Sequence, residues 1–295
     1  MKILISEPLT DFIVDDLNNH FDVEYLPHWY LRPVTHSAEI LITRSQTQVN
    51  AELINHLPNL KSVVVYGVGA NHVNHKSLQE KKIELIKGLD ENALSTAEHT
   101  LALILSCLKK IPTSLHQIEK KQWNRDVLMG RELYGKKVLV LGVGPIGRRV
   151  AYLLSAFGCE ISYARKSAHP ISNCDWKLIK DWRNELKNFD VISLHMPAQQ
   201  QPIFTDKEFA MMAPKTILVN TSRGQLVDHR ALFSFLDCHP HAQYLTDVWQ
   251  DEPPQSWPSR AQITLTPHIA GLTVEALERL HATILRQIRQ LHEIT

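Results

Sequence analysis

The 295-residue chain lacks an excess of either charge: Lys plus Arg number 32 and Asp plus Glu 31, for a formal net charge of +1 with His neutral. So even a balance argues against nucleic acid or another polyanion as the main partner. Long apolar runs are missing too. The longest, Leu101–Leu105 among them, hold five residues, far below the roughly 20 that cross a bilayer, so no membrane span is expected and the chain reads as soluble. The apolar opening Met1–Ile5 turns polar at Ser6 and Glu7, too soon for a secretory leader, and a cytoplasmic location is expected. The only cysteines, Cys107, Cys159, Cys174 and Cys238, form no C-x-x-C pair, which reads as free thiols rather than a disulfide framework. Histidine is plentiful, but His72/His75 and His239/His241 have no Cys or carboxylate ligands around them, so no metal site is expected.

What is present is an ordinary globular composition, 44% hydrophobic and 21% charged, with a length that corresponds to two domains at about 150 residues each. Short β-branched runs at Lys2–Ser6, Val23–Leu26, Ile40–Arg44, Ser62–Tyr66 and Ile83–Ile86 alternate with helical patterns at Asp11–His20 and Asn50–His56. Continuous apolar strands separated by helices predict parallel sheets covered on both faces. Ser95–Glu98 then offers an N-cap for an apolar helix reaching about Lys110, a candidate domain connector. Gln122–Leu133 has no clean period and reads as an arm against another subunit. A second series follows, with strands at Lys137–Leu141, Glu160–Tyr163, Asp190–Leu194, Thr216–Asn220, Tyr244–Asp247 and Ile263–Thr266, the pattern of a doubly wound sheet. The last segment, Thr273–Ile294, is periodic and is expected to return as a helix to the first domain. The predicted architecture is therefore α/β, with residues 1–98 plus 268–295 in one domain and 99–267 in a Rossmann-type dinucleotide-binding domain.

The strand Val138–Leu141 runs into Gly142-Val143-Gly144-Pro145-Ile146-Gly147, and an amphipathic helix follows. In that context G-x-G-x-x-G binds a dinucleotide. Gly142 makes the tight turn, Gly144 lets the backbone approach a pyrophosphate, Gly147 lets helix and strand pack closely, and the helix start beginning Pro145-Ile146 supplies free N–H groups. The next strand ends Ala164-Arg165-Lys166-Ser167, with none of the acids that hold the ribose diol of NAD. Arg165 and Lys166 read either as contacts to a 2′-phosphate, favouring NADP with NAD still possible, or as a solvated basic pair.

Three segments follow the last three strands: Asn220-Thr221-Ser222-Arg223-Gly224, Asp247 through Glu252-Pro253, and Thr266-Pro267-His268-Ile269-Ala270-Gly271. Together with Asn92-Ala93, Ala97-Glu98-His99-Thr100, the Gly142 turn and Ser193–Pro197, in this order, they resemble the D-isomer-specific 2-hydroxyacid dehydrogenase family, in its glyoxylate/hydroxypyruvate reductase-like form, over nearly the whole chain. The chemistry asks for the same residue types. Reducing a 2-keto acid requires a proton for the carbonyl oxygen, and His268 with Glu252 as its partner can supply one near neutral pH. Arg223 can grip the carboxylate and stabilise charge growing on the carbonyl oxygen.

The resemblance further implies a flavodoxin-like substrate domain, a nicotinamide-side role for Asp247, a cofactor-loop contact at Thr221, and a substrate-carboxylate loop at Gly67, Val68 and Gly69. It also implies a homodimer. After His195 the family's Pro-Leu-Thr is replaced by Pro197-Ala198-Gln199, and His195 reads as structural. Arg44 lies in a stretch like that of branches acting on phosphorylated acids, and is either an anion contact or an exposed strand-end charge. The additional regulatory domain of those enzymes is not expected here. The expected function is an oxidoreductase passing a hydride between NADP(H) and a small 2-keto or 2-hydroxy acid, glyoxylate or hydroxypyruvate first. The alternatives are an NAD-dependent dehydrogenase of a phosphorylated 2-hydroxy acid, or a nicotinamide-sensing protein without chemistry, whose mark would be a lost Arg, Glu or His; all three are present.

Overall fold

The computed structural model describes residues 1–166, 171, 172, 174–258 and 260–292. Ser167, which closes the strand end read for cofactor choice, and residues 293 and 294 of the anticipated last helix lie outside them. The chain divides into two compact units, Met1–Asn92 with Thr273–Thr295, and Ala93–Leu272.

In the first unit the order is β1 (Lys2–Ile5), α1 (Asp11–His20), β2 (Asp22–Tyr25), β3 (Ile40–Thr43), α2 (Ala51–Asn55), β4 (Ser62–Val65), α3 (His75–Glu80) and β5 (Glu84–Lys87). The strands form one parallel sheet in the order β2-β1-β3-β4-β5, a flavodoxin-like arrangement whose connections reverse direction between β1 and β3. Every residue of β3 and β4 is buried, and the two-residue period sends them to opposite faces. Leu4, Leu41, Val63 and Val65 join one core, while Ile3, Ile5, Ile42 and Val64 join another. The C-terminal helix, Val274–His292, covers that second core with Leu280, Ile284 and Ile288, four residues apart on one face. Each such side chain contributes about 2 kcal/mol by burial.

The second unit opens with α4 (Ala93–Leu108) and α5 (Ile111–Glu119), then β6 (Lys137–Leu141), α6 (Pro145–Ala156), β7 (Glu160–Ala164), β8 (Lys177–Leu178), β9 (Val191–Leu194), α7 (Asp206–Ala210), β10 (Ile217–Asn220), α8 (His229–Cys238), β11 (Gln243–Thr246) and β12 (Ile263–Leu265). Its parallel sheet runs β12-β11-β10-β9-β6-β7-β8, a Rossmann order with its switch point between β6 and β9. Leu139 and Leu141 face one core, Val138 and Val140 the other.

Three details depart from the sequence reading. The sheet has a seventh strand, the two-residue β8, too short to show any period. The long helix starts at Ala93 rather than being capped at Ser95. Ser95 lies inside it, and its hydroxyl donates to the Ala270 carbonyl at 2.7 Å. Residues 93–98 and 268–272 belong to the second compact unit rather than the first, because α4 is continuous and its buried Ala97 joins that unit's core.

Candidate active site

At the end of β6, Gly142 has φ +92°, and a Cβ there would come within 2.3 Å of the His195 carbonyl oxygen. Gly147 is as tightly placed, with a Cβ position 2.0 Å from the Gly142 carbonyl oxygen. Gly144 differs: a Cβ there would meet nothing within 4 Å. Two of the glycines are thus required by packing inside the protein, and the third fronts open space where α6 begins with Pro145 at its start and no side chain capping it. The first N–H groups of a helix have no partner within it, and together with the dipole they favour a phosphate. This cradle fits a dinucleotide pyrophosphate. Arg165 and Lys166, just after β7, are exposed and form no ion pair among the described residues.

His195 packs beside this turn. Burial pushes its imidazole down to about 3, and its Nε2 meets Ser193 Oγ at 2.8 Å. A ring that stays neutral at every physiological pH is not exchanging protons there.

Arg223, Glu252 and His268 follow β10, β11 and β12, all in the second unit. Asn220, fully buried at the end of β10, shapes the first segment: its Oδ1 accepts from Ser222 N–H and Oγ, and its Nδ2 donates to the Arg223 carbonyl at 2.9 Å. The next residue, Gly224, sits directly on the following loop, where a Cβ would lie 2.0 Å from the Trp249 carbonyl oxygen. Gln225 and Gln250 lace the same two segments together. Trp249 N–H in turn donates to Glu252 Oε1 at 3.0 Å, so the segments carrying Arg223 and Glu252 are interlocked.

His268 Nδ1 lies 2.5 Å from Glu252 Oε2. Burial alone would raise Glu252's pKa, but the hydrogen bonds from His268 and Trp249 and the nearby charges of His268 and Arg223 hold it below the usual carboxylate range. The His268 imidazole is raised, chiefly by its hydrogen bond to Glu252 and against the opposing effects of burial and of Arg223's charge. The guanidinium of Arg223 thus acts on both members of the pair.

The backbone of His268 is left-handed, with φ +54°, a conformation that costs a side-chain-bearing residue of order 1–3 kcal/mol and persists only where the surroundings impose it. Asp247 imposes it. Its carbonyl accepts His268 N–H at 2.9 Å. Its buried carboxylate accepts Ile269 N–H at 2.9 Å, Ala270 N–H at 2.7 Å and the Thr266 hydroxyl at 2.5 Å. His99, on α4, meets the same Thr266 hydroxyl at 2.9 Å. Thr221 is buried, with its hydroxyl 2.8 Å from that of Thr100. The structure therefore pairs His268 with Glu252, sets Arg223 near enough for its charge to act on both, and has Asp247 hold the 266–270 turn, while Thr221 meets Thr100 on α4. Gly224 and His99, which support this arrangement, lie in segments that carry the family resemblance, but neither has a role legible in the sequence, because each acts through a partner distant in the chain.

In the first unit, loops after β3 and β4 hold the other expected contacts. Glu7, 2% exposed, accepts the Thr43 hydroxyl and the N–H groups of Ser45, Gln46 and Thr47 at 2.8–3.1 Å. Arg44, in this loop, reaches the Pro8 carbonyl at 3.3 Å. Of the expected carboxylate loop after β4, Gly67 N–H is not free, since it donates to the Val65 carbonyl at 2.8 Å, whereas the N–H groups of Val68, Gly69 and the following Ala70 have no acceptor among the described residues.

Among the described residues no cluster of His, Cys, Asp and Glu could hold a metal, and no helix is long and apolar enough to cross a membrane. Residues 101–270 match the model of the D-isomer specific 2-hydroxyacid dehydrogenase NAD-binding domain. A D-3-phosphoglycerate dehydrogenase of Archaeoglobus fulgidus is 32% identical over 94% of this chain and 54% of its own length. The chain spans about half the length of such relatives. A hydroxypyruvate reductase of Thermotoga maritima is 28% identical over 97% of both chains. Among solved structures, the TT0316 protein of Thermus thermophilus superposes with a TM-score of 0.87 at 27% identity, covering 98% of this chain and 97% of that one.

Proposed function

Since the chain belongs to the D-isomer specific 2-hydroxyacid dehydrogenase family, we propose that it is an NADP(H)-preferring reductase of a small 2-keto acid, with glyoxylate or hydroxypyruvate as its substrate. The observation that carries this reading is the His268–Glu252 pair beside Arg223. Paired with Glu252, the imidazole keeps its proton to higher pH than a free one, ready for an oxygen gaining negative charge. Arg223 stabilises that oxygen, being a cation with a planar donor fork. The unpaired N–H groups of Val68, Gly69 and Ala70 take the substrate carboxylate.

Gly142, Gly144, Pro145, Ile146 and Gly147 hold the dinucleotide, which supplies the hydride when bound. Arg165 and Lys166 meet its 2′-phosphate, Asp247 sets the nicotinamide side through the 266–270 turn, and Thr221 sets the strand end beside it. Comparing kcat/KM for NADPH and NADH tests the cofactor half, and a clear NADH preference rejects it. We assign the exposed Trp123, Met129 and Tyr134 to a homodimer interface, which sedimentation of the purified chain checks.

A second reading, NAD-dependent oxidation of a phosphorylated hydroxy acid, draws on Arg44 after β3 and on the phosphoglycerate dehydrogenases among the relatives. Including 3-phosphohydroxypyruvate in the substrate panel decides between the two. A kcat/KM above that for hydroxypyruvate favours the second.

A further inference from the structure

The β4 loop owes its unpaired donors to its neighbour. The carbonyl of Gly67 accepts Gly88 N–H at 2.9 Å, and the carbonyl of Val68 accepts the Lys87 ammonium at 3.1 Å. In a planar trans peptide the C=O of one residue and the N–H of the next point in opposite directions. Anchoring these two carbonyls at the end of β5 therefore turns the N–H groups of Val68 and Gly69 away from β5. The anchor is itself rigid. Lys87 also reaches the Gly88 carbonyl at 3.4 Å, and at Gly88 a Cβ would lie 2.6 Å from Leu280 and 3.2 Å from the Gly67 carbonyl oxygen. A side chain at residue 88 would press on Leu280 and crowd the Gly67 carbonyl, so glycine suits the close approach of the two backbones.

We propose that Lys87 is a positioning residue of the substrate-carboxylate loop, its ammonium fixing the Val68 carbonyl so that the Gly69 N–H is presented to an anion. The proposal rests on the reading of the Val68, Gly69 and Ala70 N–H groups given above. Because the ammonium bonds the carbonyl that shares a peptide plane with Gly69 N–H, it also polarises that plane and strengthens the N–H as a donor.

The test uses the full chain with NADPH and its best 2-keto acid, together with oxamate, an unreactive isostere of pyruvate, followed by the amide signals of Val68 and Gly69. Lys87→Met is expected to raise the keto-acid KM and the oxamate Kd together by about tenfold, with kcat within about twofold and the NADPH KM unchanged, as for loss of uniform binding. Lys87→Arg, which keeps a cationic donor, is expected to stay within about threefold of the parent. Lys87→Gln serves if the methionine variant does not fold. A KM and oxamate Kd within twofold of the parent in both Lys87→Met and Lys87→Gln overturn the proposal, as does an arginine variant as impaired as the methionine one. If no 2-keto acid is turned over but oxamate still shifts Gly69 in a Lys87-dependent way, the positioning role stands and the reductase reading falls. If oxamate shifts neither amide, the proposal falls.

Discussion

Two carboxylates, one in each compact unit, are both held in the charged form, and they serve different ends. Glu7 accepts a hydroxyl and three backbone N–H groups. Burial would raise its pKa, but these donors, Thr43 first, bring it down to about 2. Glu252 accepts one backbone N–H and one imidazole. The donors around Glu7 never lose their protons at accessible pH, so its charge is architecture that ties the segment after β1 to the loop after β3. One of Glu252's donors is an imidazole, whose proton the carboxylate holds to higher pH, so its charge governs a proton. The same residue type becomes scaffold or device according to whether its partner can ionise.

The comparison breaks most completely when the titratable partner is removed. His268→Ala is expected to lower kcat for keto-acid reduction by about a thousandfold while leaving cofactor affinity, measured by fluorescence titration, nearly intact. Next in size, Glu7→Gln should cost about 3 kcal/mol in a denaturant titration, since an amide cannot accept from all the donors that converge there. The pH dependence has a definite sign. A carboxylate lowered from 4.5 to about 2 contributes stability that is complete above pH 4.5 and is lost as pH falls toward 2. The stability gap between parent and Glu7→Gln should therefore close over that window.

Glu252→Gln is a milder change, expected to reduce kcat/KM by about tenfold at neutral pH. Reduction requires the protonated imidazole, so activity falls as pH rises through the raised His268 pKa, and without Glu252 that limb should move to lower pH. The smallest expected effect sharpens the contrast: the same limb should not move in Glu7→Gln. If it moves, the two carboxylates are not the separate kinds described here.

Much of the site is legible in the sequence because it is local. The Gly142 turn needs its strand, glycines and helix within a dozen or so residues, and the three segments carrying Arg223, Glu252 and His268 stand directly after strands whose apolar runs announce them. The structure adds what depends on distant partners. Glu7 meets groups from Thr43 to Thr47, and Lys87 meets Val68, across spans that no periodicity encodes. Ser95 looks like a helix cap because Ser and Thr favour caps, yet tertiary packing extends α4 back to Ala93 and engages Ser95 with Ala270. The two residues of β8 pair only because Ser162 and Tyr163 of β7 lie beside them.

The left-handed backbone of His268 has a consequence for how this protein ages under mutation. Glycine adopts φ +54° freely, so His268→Gly should regain part of the stability lost with the Glu252 hydrogen bond and melt above His268→Ala even as it abolishes turnover. A lineage released from the need for an imidazole here would find glycine the replacement its backbone resists least, and the chain would survive as a silent relic.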